Sequence, residues 1–246
     1  MTIILFSDIH ANLPAFQKML EALANERIDA IFCLGDLVGY NVWPNEIINE
    51  IRNRRIPTIA GNHDVKAHHL TPEELSTPGV NYAYQLISQE NMCFLKTLPA
   101  HMSIEFQLTN QSLKLLLVHG SPASNKEYLL EEKPEGEFIE VFDTAGVDIL
   151  CFGHSHKPYH RILKAEKDRR TRYYHAINTG SVGKPKDNNP RGGYVRLAIN
   201  EHSSIWDEKS LQVEFIRFDY DIEKAAKAIE DSPLPIEFAD RLRKGV

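Results

Sequence analysis

The sequence predicts an α/β fold built on parallel strands, and three observations carry that prediction. Between Ile3 and Asp64 the order apolar run, polar loop, helical repeat occurs three times. The runs are short and apolar throughout, as strands covered on both faces are. Each run ends in a polar cluster that opens the next loop.

In chain order, Ile3 to Phe6 is the first apolar run and ends at Ser7-Asp8-Ile9-His10. Pro14 then opens a helix in which Phe16, Met19, Leu20 and Leu23 recur at helical spacing. Ala30 to Leu34 reads as a second buried strand ending at Gly35-Asp36, and the next helix runs from about Pro44 to Arg54 with Ile47, Ile48 and Ile51 on one face. Thr58 to Ala60 reads as a third strand, ending at Gly61-Asn62-His63-Asp64. Thr71 to Lys96 is mostly helical, broken at Pro72 and Pro78, and is a candidate cap over one edge of a cleft. Ser103 to Leu108 and Leu113 to Val118 read as a hairpin around Thr109-Asn110-Gln111, with His119-Gly120 at its end. A helix over Gly136 to Ala145 leads to a strand over Ile149 to Phe152 that ends at Gly153-His154-Ser155-His156. Tyr159 to Leu163, Arg172 to Asn178, Tyr194 to Ile199 and Leu211 to Phe218 are β-rich; Asp219 to Ile229 is a helix, and a short helical tail follows Pro233 and Pro235. There is no internal repeat or linker, so residues 1–246 are expected to form one domain.

With 42% hydrophobic and 25% charged residues the composition is that of a globular protein. The net charge of -6 and the lack of a dominant basic block argue against an extended nucleic-acid surface; the densest basic clusters are Arg52, Arg54, Arg55 and Lys167, Arg169, Arg170. The three scattered cysteines, Cys33, Cys93 and Cys151, show no disulfide framework. No apolar run is long enough to span a membrane, and Asp8 and His10 come too early for a signal peptide, so the cytoplasm is the expected location. Nothing in the sequence reports the oligomeric state.

Ligands of open α/β sheets bind beyond the carboxyl ends of the strands. Five strand-end segments therefore aim polar residues at one edge: the carboxylates Asp8 and Asp36, the amide Asn62, and the imidazoles His10, His119, His154 and His156. Taken singly each is ordinary turn or cap chemistry. Together they are a mixed oxygen and imidazole set that suits manganese, iron, zinc, nickel or cobalt, and the absence of cysteine excludes a structural thiolate zinc.

In that order, Asp8-Ile9-His10, Gly35-Asp36-Leu37-Val38-Gly39, Gly61-Asn62-His63-Asp64, His119-Gly120 and Gly153-His154-Ser155-His156 resemble the motifs of the calcineurin-like metallophosphoesterases. Asn178-Thr179-Gly180-Ser181-Val182-Gly183 resembles a further loop of small bacterial and archaeal members. The resemblance implies a four-layer α/β/β/α sandwich of two mixed sheets flanked by helices, with a dinuclear metal site at the strand ends. It implies that Asp8, His10, Asp36 and His156 hold one ion, that Asp36, Asn62, His119 and His154 hold the other, and that Asp36 bridges them. His63 would stand near the phosphate as a charge stabiliser or general acid, positioned by Asp64. Two ions roughly 3.5–4 Å apart clamp phosphoryl oxygens and acidify a bridging water, whose hydroxide attacks phosphorus in line.

The expected function is therefore metal-dependent hydrolysis of phosphate esters, by a phosphodiesterase or phosphatase acting on a small-molecule or nucleotide substrate. A dinucleoside polyphosphate hydrolase and a protein phosphatase are alternatives. A non-catalytic interaction module of the same fold is a third, and such drift would erode the ligands or His63, which are all present. Tyr40, Asn41 and Trp43 are candidates for the pocket wall, although Trp43 serves equally well as a hydrophobic staple before Pro44. Arg191 and the Asn178–Gly183 loop are candidate phosphate contacts, against a solvated arginine and simple close packing. His68 and His69 read as surface residues, and His160 and His175 as structural ones.

Overall fold

The computed structural model describes residues 1–77, 79–109, 111–167 and 169–246. The predicted break at Pro78, the hairpin residue Asn110 and Asp168 of the basic stretch lie outside the described residues. Two sheets form. The first has the order β2-β1-β8-β9, from β1 (Thr2–Phe6), β2 (Ala30–Cys33), β8 (Gly192–Ala198) and β9 (Gln212–Phe218). The second has the order β3-β4-β5-β7-β6, from β3 (His101–Gln107), β4 (Ser112–Val118), β5 (Ile149–Phe152), β6 (Tyr159–Lys167) and β7 (Arg170–Asn178). Both are mixed: β1 runs parallel to β2 and antiparallel to β8, while β4, β5 and β7 are mutually parallel and β3 and β6 pair antiparallel at the two edges.

Alternation along the strands builds the layers. Ile3 and Leu5 of β1, with Val195 and Leu197 of β8, face Leu115, Leu117, Ile149, Cys151 and Ile177 of the second sheet, which makes the central core. Ile4 and Phe6 face the other way, onto Phe16 and Met19 of α1 (Leu13–Leu23) and Ile47, Ile48 and Ile51 of α2 (Pro44–Asn53). On the far side Leu116, Leu150, Phe152 and Tyr174 pack against Phe138 and Phe142 of α7 (Glu135–Ala145). The result is the four-layer sandwich of helix, sheet, sheet and helix. Three short helices follow α3 (Asn62–Ala67) in the 71–96 region: α4 (Pro72–Ser76), α5 (Tyr82–Gln85) and α6 (Gln89–Leu95). At the C-terminal end α8 (Ile222–Glu230) and α9 (Glu237–Lys244) bury Ala225, Ala226, Ile229 and Leu242 with Ala83 and Trp43.

Local chemistry sets the boundaries. Asn12 Oδ1 accepts from Ala15 N at 3.2 Å and starts α1, Asp221 caps α8, and Gly146 ends α7 in the left-handed conformation. Two elements differ from their sequence reading. Thr58–Ala60 is not a strand: only Thr58 bridges to Cys33, and Ala60 N turns away to donate to Pro99 O at 2.8 Å. The strand β2 is an edge strand, so Ala30, Ile31 and Phe32 are only half-buried. Among the described residues no helix is long and apolar enough to cross a membrane.

Candidate metal centre

The ligand candidates converge. Asp8 and His10 follow β1, Asp36 follows β2, Asn62 starts α3, His119 follows β4, and His154 and His156 follow β5. Three groups place their ligand atoms within 4.8 Å of one another: Asp8, His10 and His156; Asp36, His119 and His154; and His10, Asp36 and His63. The backbone is strained to achieve this. Asp8, His10, Asp36, His154 and His156 all have φ between 48° and 63°, a left-handed conformation that costs a non-glycine residue free energy and persists only where packing enforces it. Gly61 has no side chain because a Cβ there would run into Asp36 Oδ1. Gly39, at φ 92°, would bring a Cβ to 2.6 Å from His63 Nδ1.

The donor atoms are aimed. His10 Nδ1 donates to Val38 O at 2.9 Å and His119 Nδ1 to Leu34 O at 2.8 Å, while His156 Nδ1 donates to Lys184 O. Those bonds turn each Nε2 inward and, in a neutral ring, fix the tautomer that leaves it free to ligate. The two carboxylates repeat the pattern. Asp8 Oδ2 accepts from His154 N at 3.1 Å and Asp36 Oδ1 from His63 N at 2.8 Å, whereas Asp8 Oδ1 and Asp36 Oδ2 are buried without a hydrogen bond. His156 Nε2 lies 3.1 Å from that Asp8 oxygen and His119 Nε2 lies 3.3 Å from that Asp36 oxygen, but neither contact has hydrogen-bond geometry. His10 Nε2 faces His156 Nε2 at 3.3 Å, and Asn62 Oδ1 faces His119 Nε2 at 3.0 Å. With neutral rings these contacts set lone pair against lone pair, a repulsion that a proton or a metal ion between them removes, so the residues fit metal ions.

The charges agree with that fit. Burial opposes ionisation of Asp8 and Asp36, yet the surrounding imidazoles hold both carboxyls well below the usual range. His119 responds: against its burial, the Asp36 carboxylate raises it to about 10, so without an ion its Nε2 carries a proton, the positive charge that a metal ion would replace. His156 goes the other way, to about 4, because burial outweighs Asp8.

His63 sits at the edge of this cluster, its ring 4.9 Å from that of His10. The pairing with Asp64 expected from sequence is not the arrangement found. Asp64 accepts from Gly61 N at 2.9 Å, Asp36 N at 2.8 Å and Leu37 N at 2.9 Å, so its carboxylate clamps the two ligand loops together and does not touch the His63 ring. Burial and the Asp36 charge raise Asp64 to about 7, against the pull of those amides. The partner of His63 is Tyr84 of α5, whose hydroxyl is 2.5 Å from Nδ1. Burial keeps that phenol protonated and drives His63 down to about 3, so the hydroxyl donates and the neutral imidazole carries its proton on Nε2.

The remaining candidates divide. Tyr40 packs its ring 4.8 Å from His10 and 4.7 Å from His63 and is a site wall. Trp43 packs against α8 and α9 instead. Arg191 is exposed and bonds to Asn189. The Asn178–Gly183 loop is close packing: Ser181 Oγ donates to Asp8 O at 2.7 Å and Gly183 N donates to the same oxygen at 3.0 Å. His160 and His175 pair with each other at 3.0 Å, away from the centre. Sequence reasoning missed Tyr84, and also Tyr128, whose ring stacks 4.1 Å from that of His154. No local pattern marks either; both reach the site from separate segments.

Comparison with known proteins gives a consistent answer. Residues 1–202 match the family model of the calcineurin-like phosphoesterase superfamily domain. An uncharacterized protein of Methanocaldococcus jannaschii is 33% identical over 99% of this chain and 98% of its own length. The crystal structure of a metallophosphoesterase from Sphaerobacter thermophilus superposes with a TM-score of 0.77, covering 100% of this chain and 99% of the other at 25% identity. A hypothetical protein from Pyrococcus horikoshii gives the same TM-score at 20% identity, covering 100% and 98%, and shares the fold.

Proposed function

The chain belongs to the calcineurin-like phosphoesterase superfamily and is a metal-dependent hydrolase of that class, and we propose that it uses two divalent ions to cleave phosphate esters of small molecules or nucleotides. In this reading Asp8, His10, Asp36 and His156 hold one ion; Asp36, Asn62, His119 and His154 hold the other; and Asp36 is shared. The observation that carries it is the pair of buried carboxylate oxygens, Asp8 Oδ1 and Asp36 Oδ2, left without hydrogen bonds and faced by imidazole nitrogens. The donor set accepts manganese, iron, zinc, nickel or cobalt.

When bound, such ions supply positive charge to phosphoryl oxygens and lower the pKa of water. The chain's own residues do the rest. His63 offers Nε2–H as a hydrogen-bond donor to the charge that develops on the leaving oxygen, in a tautomer set by Tyr84. Asp64 holds the Asp36 and Asn62 loops in register through three amide bonds. Tyr40 closes one side against water. We take the whole chain as one domain working in the cytoplasm; β9, beyond the family match, completes the first sheet.

The test is a turnover screen of the purified protein on bis-p-nitrophenyl phosphate and p-nitrophenyl phosphate with each of the five metals, alongside metal analysis. Hydrolysis with about two bound ions per chain is expected, with both lost in Asp36→Asn. Failure to turn over either ester with any metal overturns the enzymatic reading.

A further inference from the structure

We propose that Tyr128 selects the organic group of the substrate, and that the open face of its ring takes a flat, unsaturated ring of the ester, a nucleobase or an aryl group, stacked beside the metal centre. The inference rests on the phosphoesterase reading and narrows its substrate class: esters that carry such a ring are preferred to alkyl esters.

Placement is the first support. The chain that leaves β4 at His119 folds back over Gly120, where a Cβ would run into Ser124 O and Glu127 O. Ser121 N donates to Ser124 O at 2.8 Å, and the Ser121 hydroxyl donates to the Glu127 carboxylate. The next residues are pinned on both sides of Tyr128. Before it, Lys126 O accepts from His154 Nε2 at 3.2 Å. After it, Leu129 is buried among Phe138, Phe152 and Tyr159, and its carbonyl accepts from the Tyr159 hydroxyl at 2.7 Å. Tyr128 is thus held on a fixed stretch of backbone directly over a ligand candidate. A tyrosine set on fixed backbone has two side-chain torsions left to order, so it loses little entropy when a ligand stacks on it.

Exposure is the second support. Tyr128 is 52% exposed, more than any other aromatic side chain among the described residues. Its ring lies 16° from parallel to that of His154 with the centres 4.1 Å apart, so the imidazole covers one face and the other is open. The tyrosines on the opposite side of the centre offer no such face. Tyr40 is enclosed by His10, His63, Phe238 and the Lys184 ammonium, and Tyr84 is buried between His63 and Lys66. An exposed ring alone needs no ligand. This one lies flat on a residue of the centre, where an ester anchored by its phosphate brings its organic group within reach. Flat rings stack on a tyrosine face whatever their substituents, and an alkyl group gains less there.

The experiment measures binding as well as turnover. Calorimetry on the metal-loaded full chain compares benzylphosphonate with methylphosphonate for wild type, Tyr128→Ala and Tyr128→Phe. The wild type is expected to bind the benzyl compound about fivefold or more tightly than the methyl compound, and Tyr128→Phe to keep that preference. Tyr128→Ala should lose most of it, while its metal content and its affinity for methylphosphonate stay near wild type. A preference that is absent from the wild type, or that survives in Tyr128→Ala, overturns the proposal. So does an equal weakening of both phosphonates or a loss of metal in Tyr128→Ala, since a side chain that only braces His154 would produce either. In turnover, Tyr128→Ala should raise KM for bis-p-nitrophenyl phosphate about fivefold or more, with kcat within about twofold of wild type; a fall in kcat at constant KM overturns the assignment. A wild type that hydrolyses neither bis-p-nitrophenyl phosphate nor p-nitrophenyl phosphate sinks the phosphoesterase reading, and the binding ratios then decide the stacking face on their own.

Discussion

At the scale of single residues the least expected contact is that between His63 and Tyr84. A hydroxyl that donates to Nδ1 fixes which nitrogen of a neutral imidazole carries the proton, and here it leaves Nε2–H toward the centre. Removing the hydroxyl frees both tautomers without opening a cavity. Tyr84→Phe is therefore expected to lower kcat by roughly tenfold, the value of one well-formed hydrogen bond to the reacting group. Metal content and KM should stay near wild type. Steady-state kinetics with metal analysis checks this, and an unchanged kcat removes Tyr84 from the assignment. The ligand candidates were legible in the sequence because each sits in a loop just after a strand or, for Asn62, at the start of α3, where a local motif records it. Tyr84 was not, since it lies on a four-residue helix with no motif and reaches His63 only through tertiary packing.

At the scale of elements, Asp64 is a joint rather than a partner of His63. One carboxylate satisfies the amides of Gly61, Asp36 and Leu37, so a single side chain ties the start of α3 to the loop after β2. The sequence showed an aspartate next to a histidine, and adjacency suggested a pair; the first turn of α3 instead points the two side chains in different directions. Asp64→Ala leaves three buried N–H groups unsatisfied, at roughly 1–3 kcal/mol each before relaxation or entering water reduces the sum. The expected loss is about 3 kcal/mol, read by urea denaturation of the metal-free protein. A loss under about 1 kcal/mol would mean that the loops hold their register without the carboxylate. The Thr58–Ala60 segment teaches a related lesson. Its apolar residues are buried as a strand's would be, but the chain leaves β2 after one bridge and pairs Ala60 with Pro99, a remote partner that no local pattern encodes.

At the scale of the whole molecule the layers were legible because alternation and apolar runs record burial, and the order of strands was not, because β7 enters between β5 and β6 through pairings distant in sequence. That insertion creates a buried pair outside the metal centre, His160 of β6 and His175 of β7, with Nε2 and Nδ1 3.0 Å apart. Burial pushes each down to about 4. Both are therefore neutral in the native state while the unfolded chain protonates near the ordinary value of about 6.5. Between those values the unfolded state binds more protons, so stability is fully present above pH 6.5 and is lost as pH falls toward 4. The ceiling is roughly 3 kcal/mol for each ring, and the sum is smaller because the first proton taken up is shared across the short contact. The imidazoles of the metal centre titrate in overlapping ranges, so the slope must be isolated by difference. Urea denaturation at pH 7.5, 6 and 5 should show wild type losing more stability than a His160→Leu, His175→Phe double variant by about 2 kcal/mol over that interval. Parallel curves for the two proteins would show that the pair is already charged in the native state, or that its burial is not enforced by the sheet.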